Sequence, residues 1–482
     1  MYKFLVIPIE IQKRKLLPAC NILIEAINRG CSVIIGQKQE IFPFIEKLPF
    51  STWYLKSIVP GEISLLKKIK KYNHKITTLD IEGLITPNLR YSLKTRFSKN
   101  TIDLADAIFF WGNKQISLFK KNFNLLNENK LHVTGSPVAE EWLKARIKFK
   151  KQSNNIKKKI LIIPSFGYAN TETKDLNLIY AFDNLGVKNY YGKLEVKNSL
   201  YKNIYKNIID DFNSQKLAYL SFKKMIPKLC ETFKDHNIVI RPHPAENKNL
   251  WNDLSKIKNL KIDNSTDSNK QIATSQFIIH FNSTMCVQSA IMGKINIIYC
   301  DLNKKYKKII NPSVLELSHF CKNFNELKKI IKQNKNKNYA TTLKNLLAKT
   351  NYNKKNSSSE ILKVMENLKF KSNYKKFDIN SLNFKITSFY LYARYEILNY
   401  IIVPILSYFS FIPSLKKFSH GRIYRKHNIS RRELIENKWK KININDIQKV
   451  LNKAKQFKKI ENKFKIHQHF SGFFYFENLN KK

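Results

Sequence analysis

The chain has 482 residues, 43% hydrophobic and 12% aromatic, which excludes a disordered polymer and suits two or three domains rather than one core. Its 87 Lys+Arg against 36 Asp+Glu leave a formal charge of +51, which favours an anionic partner: nucleic acid, an anionic lipid surface or a phosphorylated substrate. A lysine-coated soluble surface is the competing reading of the same excess. Six cysteines (Cys20, Cys31, Cys230, Cys286, Cys300, Cys321) show no C-x-x-C and no His/Cys cluster, which argues against a zinc site or disulfide framework and fits a reducing cytoplasm.

The opening "MYKFLVIPIE" is too soon interrupted for a signal peptide and reads as a first strand, 3–9. Further strands are expected at 31–36, 75–80, 107–112 and 131–135, with helical stretches at 13–29 and 62–72 between them. A lysine-rich link at 144–159 reads as a boundary, and the alternation restarts with strands at 160–166, 237–244, 277–284 and 295–300. Helices are expected at 199–234 and 324–333. Uncharged strands alternating with helices indicate parallel α/β sheets, here two in series: a first lobe over 1–145 and a second over 157–370.

Residues 371–482 read as a basic, mostly helical extension with 24 Lys+Arg against 7 Asp+Glu. Within it Ile397–Leu415 runs without a charge, near the lower limit for crossing a bilayer, but Pro404, Pro413 and Asn399 suit an interfacial anchor better. A tail buried on the lobes is the alternative.

Open parallel sheets hold ligands beyond the carboxyl ends of their strands, and three polar clusters fall at such ends. Asp80-Ile81-Glu82-Gly83 offers carboxylates to deprotonate a hydroxyl, or an Asp cap and a solvated Glu. Arg241-Pro242-His243-Pro244-Ala245-Glu246 sets a histidine between two prolines that fix its backbone. That histidine can donate to a phosphate, while Arg241 either forks onto phosphate or pairs with Glu246. Asn282-Ser283-Thr284 opens a helix, where hydroxyls and unpaired N–H groups cap the helix or bind an anion. Turns at Ser165-Phe166-Gly167 and Gly135-Ser136 follow two further strands. No P-loop, G-x-G-x-x-G, H-E-x-x-H or G-x-S-x-G is present.

In this order, the clusters resemble bacterial surface-carbohydrate (surface polysaccharide) biosynthesis proteins, over roughly residues 1–340. These are GT-B glycosyltransferases related to capsule Kdo transferases and bacterial sialyltransferases, which share an acidic motif, an HP motif and an S-S/T motif. The resemblance implies a GT-B architecture of two Rossmann-like lobes, with the acceptor on the first and a CMP-sugar donor on the second. It implies Glu82 as catalytic carboxylate with Asp80 as helper, and His243 against the donor phosphate with Ser283 and Thr284. Arg241, Pro244, Glu246, Asn282, Ser165 and Gly167 would complete the donor side, and Gly135 and Ser136 the acceptor side. Ile81 stands where an acid is usual, which leaves Glu82 and Asp80 both open as the base, and Val138 replaces an expected arginine.

No D-x-D motif appears, so no metal and no cofactor are expected, the CMP-sugar being a co-substrate. The implied enzyme builds capsule or lipopolysaccharide from a Kdo- or sialic-acid-like sugar, peripheral on the inner face of the cytoplasmic membrane. Its partners would be a glycan or lipid-linked glycan acceptor and the anionic membrane surface. Two alternatives remain: a CDP-glycerol glycerophosphotransferase-type polymer synthase and a basic nucleic-acid-binding protein, the latter without any recognisable RNA-binding signature.

Overall fold

A computed structural model describes residues 4–9, 12–80, 93, 96–123, 128–150, 158–167, 199–243, 246–263, 268–302, 310–334, 356–370, 378–379, 381–397, 401–402, 405, 442–455, 459–469 and 472–479. The chain divides into two compact units, Met1–Glu141 with Leu346–Lys482, and Trp142–Asn345. Both are α/β, and both are built on Rossmann-like parallel sheets, the fold class expected from the alternation of apolar runs and helices.

In the first unit β1 (Phe4–Ile9), β2 (Ser32–Gln37), β3 (Thr52–Leu55), β4 (Lys75–Leu79), β5 (Ala107–Phe110) and β6 (Leu131–Val133) lie parallel in the order β2-β1-β3-β4-β5-β6. The strands are apolar on both faces because helices cover both, so they read as continuous runs rather than alternations. Val6, Ile34, Trp53, Ile76, Ile108 and Phe110 fill one face, and Trp53 is fully buried. Truncating a tryptophan so placed costs about 3–5 kcal/mol.

The C-terminal residues complete this sheet. Among the described residues after 371 are helices Leu382–Ile397 and Ile444–Lys455 and a hairpin, β13 (Phe464–His469) and β14 (Phe473–Asn478). β14 runs antiparallel to β2, with Phe473 opposite Gly36 and Phe476 opposite Val33. A Cβ at Gly36 would fall 1.9 Å from the Gly472 carbonyl oxygen, so only glycine admits this approach. Contacts join Leu346–Lys482 to the first unit, and Phe473, Phe474 and Phe476 are wholly buried in that unit's sheet.

The second unit holds β7 (Lys159–Ile163), β8 (Asn237–Ile240), β9 (Leu260–Ile262), β10 (Phe277–His280), β11 (Ile295–Tyr299) and β12 (His319–Cys321), all parallel, in the order β12-β11-β10-β7-β8-β9. Successive strands run outward from β7 through β8 to β9, then return to its other side at β10, which puts the switch in direction between β7 and β10. The lysine-rich link is helical as far as Lys150, within helix Pro137–Lys150. Trp142, Ala145 and Phe149 recur at helical spacing and pack on Leu161, Ile163 and Ile278, which outweighs the local charge.

Candidate active-site residues at the carboxyl edges of the two sheets

The second sheet's register sets three loops side by side. Ile163 of β7 pairs with His280 of β10, and Ile162 with Ile240 of β8, so the segments that follow these strands leave from one edge. Those segments hold Ser165–Gly167, Arg241–His243 and Asn282–Thr284, and the first and last flank the switch point.

Glu246 joins two of these loops. It is buried, and its Oε1 accepts the Phe166 N–H at 2.9 Å and the His243 N–H at 3.0 Å. Its Oε2 accepts the Trp251 indole N–H at 3.1 Å. Three donors directed at one carboxylate hold the two loops together. Phe166 adds an apolar anchor, edge-on to Phe222 with centroids 5.2 Å apart and tilted against Phe281 at 6.1 Å. Ser165 between these anchors has a φ of 62°, the left-handed region that non-glycine residues seldom enter.

His243 is half-buried, and because its neighbour Pro242 has no N–H, the N–H that Glu246 binds is its own. Pro244 lies outside the described residues. Of the two roles open to Arg241 in the sequence, the geometry adds a third: its Nη1 donates to Oε1 of buried Gln271 at 2.5 Å. Asn282 Oδ1 accepts the Asn311 N–H at 3.1 Å. Ser283 is buried and its Oγ accepts the Met285 N–H at 3.3 Å, at the start of helix Met285–Ile291. Thr284 is exposed and makes no side-chain capping bond.

His280, the last residue of β10, is fully buried with Nε2 3.1 Å from Ser318 Oγ and no hydrogen-bond partner for Nδ1. Burial pushes its pKa down to about 3, so it is neutral. Gln271 and Trp251, which orient Arg241 and Glu246, carried no signal in the sequence, since neither lies in the polar clusters.

In the first unit, Asp80 follows β4 and is buried. Arg96 Nε donates to its carboxylate, and its carbonyl accepts the Trp111 indole N–H at 2.8 Å. Glu82 lies outside the described residues. Gly135 has a φ of 77°, and Ser136 Oγ accepts the Val138 N–H at 3.3 Å with Pro137 next in line. The two therefore form the entry to helix Pro137–Lys150: a left-handed glycine, a serine cap and a proline in the first turn. This unit's own switch point lies between β1 and β3, where Ile9, Pro18, Tyr54, Lys56, Leu79 and Pro137 line an apolar depression.

Among the described residues no group of three His, Cys, Asp or Glu is arranged to hold a metal ion. All six cysteines are buried thiols, and burial raises the pKa of Cys230 and Cys300 to about 11.

No family model matches the chain. No curated protein matches it in sequence. Among solved structures it is similar to the UDP-GlcNAc 2-epimerase from Neisseria meningitidis bound to UDP-GlcNAc, at 13% identity over 76% of this chain and 99% of that one, with a TM-score of 0.43. The UDP-GlcNAc 2-epimerase from Methanocaldococcus jannaschii in complex with UDP-GlcNAc and UDP gives 12% identity over 75% and 99%, with a TM-score of 0.45. A variant of the wall teichoic acid polymerase TagF with CDPG gives 16% identity over 66% and 74%, with a TM-score of 0.34. The fold class stands on the strand order itself: two Rossmann-like parallel-sheet units in one chain.

Proposed function

We propose that this chain is a glycosyltransferase of surface-polysaccharide, capsule or lipopolysaccharide biosynthesis, moving a Kdo- or sialic-acid-like sugar from a CMP-activated donor to a glycan or lipid-linked glycan. The observation that carries this reading is the grouping of three polar loops at the carboxyl edge of the second sheet, around its switch point, with His243 fixed through its own N–H by Glu246.

In the proposed reaction the acceptor hydroxyl oxygen bonds to the anomeric carbon. The bond from that carbon to the phosphate oxygen breaks, and its electron pair leaves with CMP. The phosphate passes from a monoanionic diester to a more highly charged monoester, so donors aimed at it act most strongly late in the reaction. His243 supplies one such donor. Ser283 Oγ accepts from Met285 and keeps its hydroxyl hydrogen for a phosphate oxygen, and Thr284 adds an exposed hydroxyl. No metal is given a role.

The hydroxyl proton goes to a carboxylate. Asp80 is already engaged by Arg96, so of the two carboxylates left open Glu82 is taken as the base. On this reading the enzyme works as a peripheral protein on the anionic inner face of the cytoplasmic membrane.

Calorimetry with CMP, CDP, UMP and UDP tests the donor assignment. Selective CMP binding that weakens by tenfold or more in His243→Ala is the expected result. Preference for CDP or a uridine nucleotide, or CMP binding that His243→Ala leaves unchanged, would overturn it.

A further inference from the structure

Large apolar side chains exposed to solvent are not scattered over this molecule. Of the thirteen among the described residues, eight lie between Leu382 and Ile405. Helix Leu382–Ile397 turns two different faces outward and inward. Phe384 and Ser388 are buried, and Phe384 packs its ring 6.3 Å from Phe44 of the first unit's core, so this face docks the helix. Leu382, Ile386, Phe389, Tyr390 and Ile397 fall within one arc of about 100° on the other face at about 100° per residue, with Leu382, Ile386, Phe389 and Tyr390 each at least 60% exposed. Ile401, Ile402 and Ile405 continue the exposed apolar series.

Exposed Lys385 and Arg394 flank this stripe, one on each side at about 100° per residue, and the helix has a single acid, Glu396. An apolar stripe edged by cations is the pattern of a helix lying in a membrane interface, its rings and aliphatic groups among the acyl chains and its long basic side chains reaching the headgroups. The occupant must also match the charge, and 371–482 carries 24 Lys+Arg against 7 Asp+Glu. A monomer seldom leaves an apolar patch of this extent uncovered.

We infer that the outer face of Leu382–Ile397 is the docking surface for an anionic lipid bilayer, with the helix lying in the plane of the interface. No described helix is long and apolar enough to cross a membrane, so the contact proposed is in-plane. The inference deepens the peripheral-membrane part of the reading above and is independent of its transferase chemistry.

Flotation of the full chain with vesicles tests it, using phosphatidylcholine alone and phosphatidylcholine mixed with phosphatidylglycerol. Wild type floats with the mixed vesicles, less so at high salt, and little with the neutral ones. Ile386→Glu/Phe389→Glu alters two exposed side chains and lowers the partition coefficient by about tenfold or more, since each loses the transfer of a large apolar group. Lys385→Glu/Arg394→Glu removes the preference for phosphatidylglycerol. Wild type that fails to float, or a double apolar variant that floats as well as wild type, overturns the inference. Light scattering that shows a dimer in wild type and a monomer in the apolar variant, without vesicle binding, assigns the face to a second copy instead and equally overturns it. Nucleotide binding by the same variants is measured in parallel: it stays at wild-type level if only the lipid surface was changed. Its absence throughout, with flotation intact, would sink the transferase reading alone.

Discussion

The carboxyl edges of the two sheets use their buried carboxylates in opposite ways. In the second unit Glu246 is the holder: three N–H groups from separate segments converge on it, and the side chain of His243 remains directed by a fixed backbone. In the first unit Asp80 is itself held, by Arg96. An acid at the end of a strand is thus a poor guide to chemistry until its partners are known. In the second unit the buried acid fixes the backbone of His243.

The sharpest way to break this contrast is Glu246→Ala. It leaves two backbone donors and an indole N–H without their acceptor and costs about 3 kcal/mol or more, read as a lower urea midpoint for the second unit's transition. Glu246→Gln keeps one acceptor oxygen and loses less. Asp80→Ala removes one ion pair of Arg96, which is 20% exposed and so reached by water, and the loss is smaller, about 2 kcal/mol in the first unit's transition. Equal losses from Glu246→Ala and Asp80→Ala would remove the distinction between holder and held.

Acid sharpens the comparison differently. His280 in the second unit and His74 in the first are both buried and neutral, their pKa values pushed down by burial to about 3 and about 4 from 6.5. His74 is satisfied, with Nε2 2.7 Å from the Ile45 carbonyl and Nδ1 accepting the Ser51 N–H at 3.3 Å. A histidine whose folded pKa is depressed takes up its proton more readily in the unfolded chain. Each therefore removes stability as pH falls below 6.5, down to about 3 for His280 and about 4 for His74. Melting of the full chain from pH 7 to pH 4 should show both units weakening, and His280→Gln should flatten the slope for the second unit alone. The smallest effects separate the two hydroxyls of the helix entry: Ser283→Ala costs about 1 kcal/mol and Thr284→Ala less than about 0.5.

Much of the fold was legible because strands buried on both faces are written as short unbroken apolar runs, as in "FLVIPI" and "NIVI". What escaped has physical reasons. β9 and β12 are three-residue strands, "LKI" and "HFC", each with a polar residue and without the glycine turn that follows "LHV" of β6 and marks it as a strand end. β3, "TWYL", opens on a threonine directly behind Pro49 and Ser51, so it reads as the end of a turn rather than as an apolar run. β14 is plainly apolar, but its partner β2 lies more than 430 residues earlier, and local pattern cannot express such a pairing. The site divides similarly. His243, Ser283 and the turns stand out as candidates by type and position, whereas the contacts of Glu246 depend on Phe166, eighty residues away, and those of Asp80 on Arg96.

The strand β14 also sets a timetable for synthesis. Trp142–Asn345 is one uninterrupted stretch, so the second unit has all its strands once that stretch has left the ribosome. The first unit begins earlier and finishes later: β2 waits with an open edge until Phe473–Asn478 emerge to pair with it. Chains that stall or are clipped before that point carry a folded middle and an unpaired apolar strand near the start, which makes them natural clients for chaperones and prone to edge-to-edge association.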